Sequence, residues 1–398
     1  MSRPSASAPL AEVGAAFLKL GLTSFGGPVA HLGYFHEEIV RRRRWLDDRE
    51  FADLVALCNF LPGPASSQVV FALGLKRAGL AGALLASSCF TLPSAVLLIL
   101  FAYGVSSLGD LHAAGWLHGL KLAAVAVVAQ AVWGMGRRLC PDRPRLTLAL
   151  GAAAILLLLP GALSQIGVIA LGAVAGAWIY RGRVELPPPA EPAAPRHHVW
   201  AAAALTVFLA LLFGLPAVAK ATQAGPLAVF DGFYRAGSLV FGGGHVVLPL
   251  LRAEVVPPGW VSDDAFLAGY GAAQAVPGPL FTFAAYLGTV MSAGPQRWVG
   301  GLWCLLAIFL PAWLLIGGAL PFWRVLQGKA WMQAALRGAN AAVVGVLLAA
   351  LYSPVCTQAI AEPRDVAAAL GAFALLEIWR VPPWLVVLLA AALGYWAW

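Results

Sequence analysis

Apolar residues in this chain run in long uninterrupted blocks, and that pattern constrains the fold more than any other feature. A helix crossing a bilayer needs about 20 such residues. Thirteen apolar blocks can be marked, at roughly 12–35, 50–75, 79–108, 116–136, 146–160, 163–180, 199–219, 228–251, 265–290, 298–320, 331–351, 366–380 and 383–398. They lack the strict alternation of a transmembrane barrel. Of the 398 residues 61% are hydrophobic and only 11% charged, whereas a soluble domain carries about 25% charged. The chain cannot cover itself with polar surface. This excludes an ordinary cytosolic enzyme and predicts an all-α polytopic membrane protein.

An internal repeat organises the blocks. Residues 17–32, FLKLGLTSFGGPVAHL, align without gaps to 233–248, FYRAGSLVFGGGHVVL, at an offset of 216 with six identities. Trp45 to Pro64 matches Trp260 to Pro279 at an offset of 215, with a Pro-Gly-Pro closing each segment. LKLAAVAVV at 120–128 pairs with LRGANAAVV at 336–344, again at 216. Two homologous halves are expected, 12–180 and 220–398, after an N-terminal tail at 1–11. The Pro- and charge-rich stretch 181–198 reads as an exposed linker. One extra apolar segment, 199–219, precedes the second half and turns it upside down relative to the first. Inverted repeats of this kind are typical of secondary transporters. The first dozen residues, MSRPSASAPLAE, contain no apolar core, so no cleavable signal peptide is expected.

The first two segments of each half are broken, by Phe-Gly-Gly at 25–27 and 241–243 and by Pro-Gly-Pro at 62–64 and 277–279. Each either crosses or dips in and returns. If all four return, 18 cations fall on the cytoplasmic side, including Arg41 to Arg44, Arg77 and Arg137 to Arg145, against four outside. If all four cross, the split weakens to 14 against eight. Because cytoplasmic loops are enriched in Lys and Arg, re-entrant hairpins are preferred. The net charge of +8 therefore reflects topology and does not point to nucleic acid.

Four cations lie inside apolar segments and pair through the repeat: Lys19 with Arg235, and Lys121 with Arg337. Charges there are costly unless solvated or paired, so they default to function; snorkelling to an interface is the structural alternative. Lining an anion path is the preferred role. The breaks support it, because Gly26-Gly27-Pro28, Pro64, Pro279 and Gly242-Gly243-Gly244 each can start a half-helix. A helix N-terminus presents unpaired N–H groups and about half a positive charge. Candidate substrate-binding residues are therefore Lys19, Phe25, Gly26, Gly27, Asn59, Pro62, Gly63, Pro64, Lys121, Arg235, Phe241, Gly242, Gly243, Gln274, Pro277, Gly278, Pro279 and Arg337. Ser66, Ser67, Gln68 and Thr282 flank the breaks. His31 and His245 follow the Phe-Gly-Gly motifs and read as packed neutral side chains. The five cysteines lie far apart and read as small helix packers. No triad, P-loop or zinc motif is present, and neither a metal nor a cofactor is expected.

The stretch SFGGPVAHLGYFHEEIVRRRRWLDDREFADLVALCNFLPGPASSQ resembles the chromate transporter family in its long two-domain form. The echo FGGGHVVLPLL…WVSDDAFLAGYGAAQAVPGPLFTFAAYLG resembles that family's second-domain signature. The resemblance covers all but the tail and linker. It implies a multi-pass transporter of the cytoplasmic membrane that expels chromate and confers chromate resistance, with sulfate as a related substrate and thirteen segments in oppositely oriented halves. Two readings keep the fold and change the activity: proton-coupled transport, or uptake, of sulfate or another oxyanion, and an anion channel. A membrane-embedded reductase would need a cofactor motif that the chain lacks. Coupling ion and oligomeric state stay open.

Overall fold

The structure, a computed structural model, describes residues 7–107, 115–182, 198–240, 244–322 and 329–397. Phe241, Gly242, Gly243 and nearly all of the Pro-rich linker lie outside the described residues. Among the described residues the chain is helical throughout and contains no strand. The first half of the chain supplies α1 (Ser7–Thr23), α2 (Gly27–Phe35), α3 (Asp48–Phe60), α4 (Ala65–Ser107), α5 (Gly115–Leu139), α6 (Arg143–Leu158) and α7 (Ala162–Ile179). After α8 (His198–Thr222) come α9 (Gly225–Leu239), α10 (Val247–Val255), α11 (Asp263–Ala275), α12 (Phe283–Val290), α13 (Arg297–Ala319), α14 (Ala330–Ala350), α15 (Pro363–Glu377) and α16 (Pro383–Ala397). Five helices are long and apolar enough to cross a membrane, at Ala65–Val105, Gly115–Leu139, Val199–Thr222, Arg297–Phe322 and Ala330–Ala359. The chain is thus an all-α, multi-pass membrane protein in which spans long enough to cross alternate with shorter apolar helices.

Local chemistry explains where the short helices begin and end. Asp47 caps α3 in a capping box with Glu50, and Ser262 caps α11 by accepting from the Ala265 N–H. Both helices then run into Pro-Gly-Pro. A proline forces its predecessor out of the helical region, and Leu61 and Val276 are both extended, with ψ of 148° and 149°. Within α4, Ala78 and Gly79 leave helical geometry, Gly79 at φ +63°, so this element is a short helix followed by a long one.

One carboxylate shows how the first hairpins run. Glu12 in α1 accepts from the Trp45 Nε1–H at 2.8 Å and from Arg77 at 2.6 Å, and lies 3.6 Å from Arg43. The chain leaves this end of the molecule in α1, is back at it by Trp45, departs again in α3 and has returned by Arg77. Each broken segment of the first half is therefore a hairpin. In the second half the Ser292 N–H donates to the Trp260 carbonyl at 3.1 Å, and Trp303 Nε1–H donates to the Pro226 carbonyl at 2.9 Å. The start of α9 and the turns around Trp260 and Ser292 share one end in the same way.

The two sets of hairpins are rooted at opposite ends. Helix α1 runs parallel to the long part of α4, with Gly14 beside Leu85 and Gly21 against Cys89 and Phe90. Helix α9 runs parallel to α13, with Pro226 meeting Trp303 and Gly237 meeting Ile308. Yet α4 and α13 are antiparallel, since Tyr103 meets Trp298 while Ile99 meets Gly301. Beyond them the halves exchange helices. Gly119 and Gly115 of α5 face Ala390 and Gly394 of α16, and Gly172 and Gly176 of α7 face Gly338 of α14. Small residues let these backbones approach closely, which is how helices associate where lipid offers no hydrophobic drive.

This arrangement predicts a labelling pattern. In a cysteine-free background, Arg44→Cys and Lys76→Cys react with an impermeant thiol reagent from one face of the membrane, and Gly259→Cys and Ser292→Cys from the other. Labelling of all four from one face would contradict the antiparallel placement of α4 and α13.

Candidate functional site

The four breaks meet, and they meet in cross-linked pairs. The Gly63 N–H donates to the Val240 carbonyl at 2.6 Å, and the Gly278 N–H donates to the Ser24 carbonyl at 2.8 Å. Each Pro-Gly-Pro tip in one half thus satisfies the residue just before the Phe-Gly-Gly break in the other. An unpaired backbone group in hydrocarbon costs several kcal/mol, so these two bonds close the hairpin tips. Gly63 at φ +114° and Gly278 at φ +98° adopt a conformation that favours glycine. A Cβ on Gly278 would stand 2.9 Å from Ser94 Oγ and 3.2 Å from the Phe90 carbonyl. On Gly63 it would stand 3.0 Å from Gln68 Nε2, which itself donates to the Pro62 carbonyl at 2.8 Å.

Helix α2 starts at Gly27 with Gly26 left-handed at φ +92° and no side chain capping it, and α10 also begins uncapped at Val247. The turn Leu280–Thr282 that opens α12 is uncapped as well, the Thr282 hydroxyl donating to the Pro279 carbonyl. Around these ends several buried polar atoms have no partner among the described residues: Ser24 Oγ, Ser67 Oγ, Gln68 Oε1 and Gln274 Nε2. Gly27 adjoins His245, whose Nδ1 lies 2.8 Å from the buried Tyr270 hydroxyl. Buried polar groups are nearly always satisfied. A set of unsatisfied ones at converging helix tips marks a place suited to a polar guest.

The four cations inside apolar segments do not gather there. Lys19 pairs with Glu38 at 2.6 Å, and Arg43 reaches the same carboxylate at 2.8 Å. Arg235 pairs with Glu254 at 2.9 Å and with Asp231 at 3.1 Å. The two carboxylates Glu38 and Glu254 are also matched at the offset of 216, a correspondence that extending the repeat by a few residues exposes. Lys121 is hydrogen-bonded to Asp264. Arg337 stacks on Tyr180, 5.8 Å from the ring centre. Tyr180 in turn donates to Asp142 at 2.6 Å, where the α5–α6 turn lies outside the apolar spans. Burial pushes the Asp142 carboxyl up, but hydrogen bonds from Arg145 and Tyr180 outweigh it and hold it down to about 2.

A cavity of 190 Å³ with a mixed lining opens beside the first Pro-Gly-Pro tip, where Asn59, Gly63, Arg138 and Asn340 share the wall with Leu61 and Met135. Asn59 and Gly63 are among the residues expected from the sequence. Arg138 and Asn340 are not; one sits in a basic turn and the other in an apolar helix, and nothing in their spacing joins them. On the outer side of the same tip a larger, almost wholly apolar cavity of 390 Å³ is lined by Leu61, Pro62, Ile169, Leu239 and Leu336.

Hairpins rooted at opposite ends, tied tip to tip and flanked by unsatisfied polar groups, define a class: helical membrane proteins that carry a polar solute through a site between two half-molecules. The chromate transporter family profile matches residues 11–177 and again 227–395, and the chain belongs to that family. It is 30% identical to a chromate transport protein of Pseudomonas aeruginosa over 347 residues, 84% of this chain and 78% of that protein. It is 25% identical to a probable chromate transport protein of Synechococcus elongatus, across 96% of this chain and 94% of the relative. A chromate transport protein of Cupriavidus metallidurans is likewise 25% identical over 95% of this chain and 90% of its own length. No solved structure matches the chain.

Two outcomes are expected from this geometry. Gly278→Ala, which adds both φ strain and a clash, lowers stability by about 2 kcal/mol, whereas Gly79→Ala, with φ +63° and open space, costs about 1 kcal/mol; thermal unfolding in detergent compares them. Arg235→Gln strands two carboxylates and lowers the yield of folded protein, and Arg235→Gln with Glu254→Gln restores most of it. Failure of the double substitution to recover folded protein would separate Arg235 from a pairing role.

Proposed function

We propose that this protein is a secondary transporter that exports chromate across the cytoplasmic membrane and thereby confers chromate resistance. Family membership and the names of the relatives support chromate as the substrate. The observation that carries the mechanism is the reciprocal pair of backbone bonds, Gly63 to Val240 and Gly278 to Ser24. On this reading residues 12–180 and 220–398 are inverted repeats, with 181–198 as a cytoplasmic linker, 199–219 as the inverting helix and the four broken segments as re-entrant hairpins. The opposite rooting of the hairpins supports that inversion.

The substrate lies where the tips meet. Backbone N–H groups at Gly26, Gly27, Ala65 and Leu280 border it, at helix ends set by the prolines of the two Pro-Gly-Pro motifs, with Phe25 and Phe241 preceding the Phe-Gly-Gly breaks in the sequence and Asn59 and Gln274 beside the others. Lys19 and Arg235, each held by a carboxylate, keep the potential near the hairpins balanced until the dianion arrives. Lys121 and Arg337 stand further along the path at opposite ends. Chromate is a tetrahedral dianion near neutral pH. Moving one charge through the membrane potential is worth about 2.3 kcal/mol per 100 mV, so leaving an inside-negative cell favours a dianion by roughly twice that. Export needs no coupling ion; uptake, or sulfate import with protons, would.

The test is flux into everted membrane vesicles. Chromate accumulates in vesicles containing the protein, collapse of the membrane potential reduces accumulation more than collapse of the pH gradient, and sulfate competes. Sulfate flux without chromate flux would replace the substrate. A strict dependence on the pH gradient would replace the mechanism. Rates far above about 10³ per second, beyond ordinary turnover numbers, would make the protein a channel.

A further inference from the structure

The 190 Å³ cavity beside the first Pro-Gly-Pro tip is open to the surface, with Arg138 and Asn59 exposed and Asn340 half-buried. Its lining carries a cation, Arg138, and two amides, Asn59 and Asn340, and no carboxylate. Lys19, Lys121 and Arg235 each meet an acid. By contrast, no ion pair or hydrogen bond engages Arg138, Asn59 or Asn340 among the described residues. Ala65, the first residue of α4, also lines the cavity, which brings that helix's partial positive end to it. The volume is many times the ~10–15 Å³ needed to seat one water. A tetrahedral oxyanion fits with part of its hydration shell.

The cavity has a side. Phe101, late in α4, packs on Trp116 at the start of α5, so the far end of α5, where Arg138 stands, returns to the end that holds Glu12, Arg43 and Arg77. That end carries the basic turns and is cytoplasmic by the charge rule. The lining is not repeated in the sequence of the other half. At the matched positions of the other half Arg138 becomes Pro354, Asn340 becomes Ala124 and Asn59 becomes Gln274. The cation is not repeated at the matched position.

We infer that Arg138, Asn59 and Asn340 form a capture site for a tetrahedral oxyanion dianion on the cytoplasmic side, from which it passes to the Gly63 tip. This rests on the transport reading above and adds the site of entry. Asn340 comes from the second half of the chain and Asn59 and Arg138 from the first, so the site is complete only when the halves are docked. A single guanidinium can present two parallel N–H donors to two oxyanion oxygens, and each amide adds one more.

The experiment uses the full-length protein in everted vesicles, whose outward face is the cytoplasmic one, and the purified protein in detergent. Arg138→Gln is expected to raise the KM for chromate at least about 10-fold, the scale of one charge-assisted hydrogen bond, with the saturated rate within about 2-fold. Asn340→Ala shifts KM in the same direction, and Arg138→Lys falls between. Arg137→Gln is the control, because Arg137 stacks on Trp133 and does not line the cavity; its KM stays at the parent value. Calorimetric titration with sodium chromate and sodium sulfate should show the same order. An Arg138→Gln protein that binds and transports with parent constants, or that shifts no further than Arg137→Gln, overturns the site. If the parent protein binds sulfate, fails to bind chromate, and loses sulfate on Arg138→Gln, the site stands and chromate as substrate falls. A parent protein that binds neither anion ends both.

Discussion

A helix that stops inside a bilayer leaves N–H and C=O groups with no water to satisfy them, and this architecture answers that constraint with a trade between the two halves. Gly63 gives its N–H to Val240 and Gly278 gives its own to Ser24. Neither half can make both bonds with its own residues, so each hairpin pair depends on the other for its tips. The same dependence recurs at the periphery, where α5 packs on α16 and α7 on α14 through facing glycines. Separated halves would expose polar tips and flat small-residue faces together. The chain therefore folds as one interlocked unit, although its sequence reads as two.

The charges obey a parallel rule. A lysine or arginine within an apolar segment is tolerable when a carboxylate meets it, and the hairpin geometry delivers one. Lys19 reaches Glu38 and Arg235 reaches Glu254 because each hairpin returns its second arm beside its first. These pairs fasten the two arms of each hairpin to one another part-way along. Neither pair stands at the tips, where helix ends and unpaired amides gather. On the transport reading, a guest dianion meets dipoles and N–H donors at the tips, which suits a solute that must leave as readily as it arrives.

Much of this was legible in the sequence, and what was missed has a physical reason. The four breaks could be read because Phe-Gly-Gly and Pro-Gly-Pro are local signals that dictate backbone geometry wherever they stand. The hairpins could be inferred because the arginine-rich turn at Arg41 to Arg44 must stay on one side. Glu38 and Glu254 were within reach of the same repeat alignment, yet acids in loops draw no notice until a hairpin folds them back onto a cation. Arg138, Asn59 and Asn340 could not be joined by any spacing, since they come from three helices that meet only through the exchange of α14 into the first half. The register of that exchange is written in glycines such as Gly172 and Gly338, whose role shows only as a distance between backbones.

The fold is nearly symmetric in its hairpins and asymmetric in its charge, and the two properties do different work. A site reached equally from both ends would have no preferred side, and even an unequal one cannot set the direction of net transport, because binding affinities alone leave the equilibrium distribution unchanged. Direction has to come from outside the protein. For a dianion it comes from the membrane potential, at about 2.3 kcal/mol per charge per 100 mV. What an asymmetric entrance controls is the concentration at which the cycle fills. On the proposed reading, a cation and two amides on the cytoplasmic side, answered by Pro354, Ala124 and Gln274 at the matched positions, let the site load from a dilute pool. On that reading the interlocked scaffold holds the tips together, and the unpaired arginine governs the occupancy.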